Sequence, residues 1–216
     1  ITRKNPDFPF IKINSKKNIT LDFEAVNYNF WTYDWRISFE KGDKYDSFNS
    51  DGYKREFYKI AGSYFPNDNL KINLGYRVRK ENEWLIWTED NKFGLYDSEQ
   101  DTVSIGLNWF NGNKHEIRLK SQFVALQADN PQSLISDSGG YLYDSDDLIK
   151  PFTQGVVSFQ VRYKFEIAPL SYLYLVYSKG GANYDEDEDY SKSEIFNQPW
   201  NNPSDEVYSI KFRLKY

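Results

Sequence analysis

The chain has 216 residues, a net charge of −5, one histidine and neither cysteine nor methionine. The missing cysteines exclude a disulfide frame, a thiol nucleophile and a thiolate metal site, and the acidic balance argues against a general nucleic-acid binder. Mean hydropathy is −0.76 and no run nears the ~18 apolar residues of a spanning helix, yet aromatics make up 19%, a class enriched where apolar surface meets water.

The length suits one all-β domain. The start at Ile1 reads as that of a mature or truncated chain. Residues 1–17 form an N-terminal segment with a candidate strand at 8–13, "FPFIKI", interrupted by Pro9. Alternation begins at 18–26. It continues over 30–41, where Trp31, Tyr33, Trp35, Ile37 and Phe39 oppose Thr32, Asp34, Arg36, Ser38 and Glu40. Strands follow at 53–65, 70–80, 101–110, 115–127, 154–167, 172–179 and 207–216. Successive side chains of a strand point to opposite faces, so these are ribbons with one apolar and one polar face, the phase being blurred over 53–65 and 172–179. No helical period competes.

The connections alternate in length. Short turns lie at 27–29, 66–69, 111–114 and 168–171, and long links at 42–52, 81–100, 128–153 and 180–206. A membrane barrel sorts its connections this way, with short periplasmic turns at one rim and long external loops at the other. The long links carry −18 together, which leaves +13 on the rest. The fold class expected is therefore all-β, an antiparallel transmembrane β-barrel with nine or ten strands in this chain, its long acidic loops outside and its C-terminus in the periplasm.

The polar faces are basic, and nine cations are expected to line a lumen: Arg36, Arg77, Arg79, Arg118, Lys120, Arg162, Lys164, Lys211 and Arg213. The competing expectation is that these pair with Asp22, Glu24, Asp34, Glu116 and Glu166 on neighbouring strands. Trp31, Trp35, Trp109 and Tyr216 fall on the apolar parity and read as a membrane girdle. Trp84 and Trp87 lie in a long link and read either as external ligand contacts or as strand extended above the membrane. Asp185, Asp187 and Asp189 are a weak candidate site for Ca²⁺, the sole cofactor considered, since hard cations take carboxylate oxygens. A solvated acidic loop is the plainer reading. His115 falls on the apolar parity beside a short turn, where it is an interfacial polar group rather than a base. No catalytic set is legible, and a non-enzyme is expected.

The run "SFQVRYKFEIAPLSYLYLVYSKGG" at 158–181 resembles a stretch near the end of a bacterial outer-membrane family of unknown function. Phe159, Gln160, Arg162, Tyr163, residues 168–171, residues 173–177 and Gly180–Gly181 carry the likeness. Full-length members join a domain similar to a family 9 carbohydrate-binding module to a large C-terminal barrel. The final "IKFRLKY" resembles the last strand that the barrel-assembly machinery reads. The resemblance implies an outer-membrane location and a C-terminal portion of a larger barrel, acting as a passage, receptor or scaffold. Its edges would meet missing N-terminal strands or another chain. A soluble β-sandwich binding glycans and, less favoured, an outer-membrane enzyme are the alternatives.

The first candidate strand, residues 8–13, is too short and too broken by Pro9 to match the last. The chain is therefore expected not to close on itself.

Overall fold

The structure is a computed structural model that describes residues 11, 16–26, 30–42, 52–186 and 189–215. All ten strands belong to one antiparallel sheet. They are β1 (Lys16–Val26), β2 (Trp31–Gly42), β3 (Tyr53–Asn67), β4 (Leu70–Glu89), β5 (Lys92–Asn111), β6 (His115–Ser136), β7 (Leu142–Asp144), β8 (Phe152–Ala168), β9 (Ser171–Glu186) and β10 (Asp205–Arg213). One helix, α1 (Lys192–Asn201), precedes β10. The order is β1-β2-β3-β4-β5-β6-β8-β9-β10, with β7 paired to β6. Among the described residues β1 and β10 are edges and the sheet is open, in line with the closure expectation. The candidate strand at 8–13 lies outside the described residues, except that Ile11 packs against the Phe93 cluster described below.

The turns at 68–69, 112–114 and 169–170 stand at one end of the sheet, as the spacing predicts; residues 27–29 lie outside the described set. Pro66 occupies a break in the β3–β4 register between Tyr64 and Asn67, where a missing N–H does no harm to the ladder.

Three of the long links hold regular structure where loops were expected. Residues 81–100 are strand except for a two-residue turn, because β4 and β5 keep pairing, through two register shifts, up to Glu89 and Lys92. Asp90 takes φ 41° at this turn, and the Trp87 Nε1–H donates to its carbonyl at 3.0 Å. Link 128–153 begins as strand to Ser136 and includes β7. Link 180–206 begins as strand to Glu186 and contains α1. Of link 42–52, residues 43–51 lie outside the described set.

The reason alternation misses these extensions is an inversion of the two faces. Cross-strand neighbours share a face. The row Phe23–Trp35–Ile60–Tyr76–Val103–Phe123–Val157 is apolar. Rows nearer the short turns continue it through Leu107–Leu119–Val161–Tyr177–Tyr208. Above it the same face carries Asp97, Glu99, Asp101 and Asp129. The opposite face changes the other way: Arg118, Lys120 and Gln122 give way to Val124, Leu126 and Ala128. There Tyr96, Ala128 and Phe152 form a buried cluster with Trp84, Ile86, Leu126 and Ile149 around it. A second cluster, Phe93, Leu134 and Leu142, closes the tip. Bulges at Glu81/Trp84 and Leu95/Asp97 mark where the extensions begin. Glu83 (φ 53°) and Asn130 (φ 49°) sit at them, and such bulges bend a strand and deepen its twist.

Below the inversion the apolar face has no core. Ile60 is 62% exposed, Leu74 58% and Ile210 67%. Among the described residues only α1 lies on this face, at its upper margin. Ser191 and Glu194 close a capping box at the helix start, which satisfies two of the backbone N–H groups a helix leaves open. Phe196 and Trp200 reach Phe123, and Trp200 meets Phe159 at 5.5 Å. Ile195 and Pro199 are buried. Pro199 has no N–H for the Ile195 carbonyl, and that carbonyl faces β8. A Cβ on Gly155 would come 2.2 Å from it, and one on Gly181 2.7 Å from the Pro199 carbonyl. The two glycines thus make the seat for the helix.

Candidate functional site on the polar face

The polar face below the inversion is where the sequence places its chemistry, and the register brings most of the expected cations together there. Arg118 and Arg162 stand directly opposite on β6 and β8. Like charges in that relation repel. Glu116, whose side chain is only 11% exposed, resolves the conflict. Its Oε1 binds Arg118 Nε and lies 2.9 Å from Arg162 Nη2, and its Oε2 lies 3.7 Å from Lys164 Nζ. One carboxylate therefore serves three cations. Lys164 also stands 4.4 Å over the Tyr172 ring.

Among the described residues, only Arg36 of the other expected cations meets one of the expected acids across strands; the rest find different partners or none. Arg36 binds Asp22 and Lys59 binds Asp34. Arg79 donates from Nε to Glu81 at 3.1 Å, and Arg77 Nη2 donates to Thr102 Oγ1 at 3.2 Å. Among the described residues Lys71, Lys120, Lys211 and Arg213 have no acid within ion-pair distance. Glu166 accepts from the Leu170 N–H at 3.3 Å across its turn.

Two depressions mark this face. One of about 480 Å³ is lined by Asn73, Ser104, Gly106, Lys120, Gln122 and Gln160, small or amide-bearing residues at mid-height. The other, of about 570 Å³, lies against the short turns and includes Phe30, Phe65, Phe110, Lys71, Asn108 and Arg118. The three phenylalanines are the residues that sequence reasoning missed. A signal existed: each flanks a short turn on the polar parity, where the alternation calls for a hydrophilic side chain.

The remaining candidates disperse. Trp31 stacks on Tyr64 at 4.1 Å and Trp35 on Phe23 at 5.5 Å. Trp109 pairs with Leu70 and Ile117. All three keep to the apolar face, and Tyr216 lies outside the described residues. His115 Nδ1 is 2.7 Å from Tyr163 Oη, and its ring stacks on Phe165. Trp84 joins the buried cluster beside Phe152 at 6.1 Å, while Trp87 stays exposed near the Asp90 turn.

Of the calcium candidates, Asp185 belongs to β9, Asp189 follows it, and Asp187 lies outside the described residues. Burial raises the Asp129 carboxyl above its ordinary range, and the nearby charges of Asp189 and Asp97 add to this. Among the described residues no group of three His, Asp or Glu side chains is placed to hold a metal ion. No family model matches the chain, and no curated protein matches it.

Proposed function

We propose that the sheet is part of the wall of a bacterial outer-membrane β-barrel, with its apolar face to lipid, its polar face to a wet lumen and its long links outside. The inversion of the faces carries this reading. In a soluble sandwich the apolar face stays the core along the whole strand. A barrel rising out of a membrane needs the reverse above the lipid, with a polar exterior and a packed interior. The apolar run from Val157 to Ile167 spans about 33 Å along the strand, or roughly 23 Å at a 45° tilt, close to the ~25 Å apolar band of such barrels. A soluble monomer rarely leaves so wide an apolar surface uncovered.

Strand direction supports a larger barrel. Both β1 and β10 run from the long-link end to the short-turn end, so joining them would make the sole parallel pair in an antiparallel sheet. Two copies inserted the same way meet the same obstacle. An odd number of further strands therefore separates the edges, from other sequence or another chain, since an open edge in lipid leaves backbone groups unsatisfied. The likeness of residues 158–181 to the outer-membrane family belongs to the same proposal. The barrel serves the cell surface as a passage, receptor or scaffold.

The absence of cysteine allows single reporters. Labels at Ile105 and Ile210 should be quenched by nitroxide-bearing lipids, and labels at Ser104 and Ser209 should not. Equal quenching at all four, or a chain that folds as a monomer without detergent or lipid, overturns the reading.

A further inference from the structure

We propose that the depression at the short-turn edge of the polar face binds small organic anions, a carboxylate or phosphate joined to a flat apolar body. Three phenylalanines from three separate turns, Phe30, Phe65 and Phe110, converge on a face that is otherwise hydrophilic. Backbone bonds hold them in place. The Phe65 N–H donates to the Phe30 carbonyl at 2.7 Å, and the Phe110 N–H to the Asn69 carbonyl at 2.8 Å. The rings supply an apolar floor inside an aqueous surface.

Charge decides what that floor accepts. Lys71 Nζ stands 4.9 Å from the centre of the Phe65 ring, and it has no acidic partner among the described residues. Arg118 lines the same depression and shares Glu116 with Arg162 and Lys164, so its neighbourhood keeps surplus positive charge. Asp68 is the acid at the rim; it sits in the β3–β4 turn. A carboxylate or phosphate meets a fork of donors on Arg118 and a point charge on Lys71, while its apolar body covers the phenyl rings.

The inference shares with the barrel reading only the condition that the polar face is wet. It is therefore tested without lipid orientation, by fluorine NMR on the chain folded in detergent micelles. The probes are 4-fluorobenzoate, 4-fluorophenyl phosphate and 4-fluorobenzylamine. One or both anions should bind and the amine should not, and the stronger anion identifies the head group. Lys71→Gln and Arg118→Gln should each weaken the anion by about ten-fold, the usual scale for losing a charged hydrogen bond. Lys71 joins no ion pair among the described residues, so its substitution leaves the ladder intact. Phe110→Ala should weaken binding without restoring the amine. Amine binding equal to that of the anions, or anion affinity unchanged in both charge variants, overturns the proposal. The lipid-quenching result can go either way without altering this outcome.

Discussion

At the scale of the residue, Glu116 holds the lower polar face together. Arg118, Arg162 and Lys164 converge on its two oxygens, and each cation is partly wet, which limits what a single pair contributes. The carboxylate itself is nearly buried, so its charge is best used where it is. Glu116→Gln leaves the opposed arginines facing each other with only an amide between them. The expected loss is roughly 1–2 kcal/mol, read as a lower temperature for losing the folded β signal in micelles. Glu116→Asp, which keeps the charge on a shorter stem, should lose less. An unchanged melting temperature for Glu116→Gln would show that the cations are separated without it. Asp137 plays a different local role. The Tyr141 N–H, at 3.0 Å, and the Gly139 N–H, at 2.9 Å, donate to its side chain and hold its carboxyl below the usual range. That closes the turn before β7.

At the scale of the element, α1 is the least expected feature and the most easily tested. A ten-residue helix is marginal alone in water. This one persists through its capping box and through Ile195, Phe196, Pro199 and Trp200 against β6, β8 and β9. Its seat depends on Gly155, since a side chain there would collide with the Ile195 carbonyl. Gly155→Val should therefore unseat α1 while leaving the β8–β9 ladder formed, because valine suits a strand. Trp200 should then become more accessible to aqueous iodide, with far-UV circular dichroism dominated by strand as before. Unaltered Trp200 quenching in a folded Gly155→Val chain would mean that the helix tolerates a shifted seat.

At the level of the complete sheet, the parity of strands governs how its two edges can pair. Cysteine pairs placed at Ile37 and Tyr58, register neighbours on β2 and β3, should crosslink readily. Pairs placed at Leu21 on β1 and Ile210 on β10 should not, because the two edges run in the same direction and the proposed barrel sets further strands between them. An efficient Leu21–Ile210 crosslink within one chain would mean that the sheet closes on itself, and would remove the argument for added strands.

Nine strands were legible in the sequence within a few residues at their short-turn ends. There the apolar and polar faces meet different surroundings and alternation is strict. The short turns were legible too, from Asn, Gly and Pro at "PNDN", "NGNK" and "APLS". The basic polar face followed directly from strand parity. The extension of β4 was legible only as one of two readings of Trp84 and Trp87, and those of β5 and β6 were not, because both of their faces are covered in part and period-2 contrast fades. The helix left a trace in Ser191-Lys-Ser-Glu194, a capping pattern, but Pro199 and its acidic surroundings masked it. The strands, their two faces and the sorting of turns could be read from the chain alone, because those are local and periodic. Which cations share Glu116, which phenylalanines converge at the short-turn edge and where the faces invert emerge with the folded sheet. These depend on register between strands far apart in the chain, which no local pattern records.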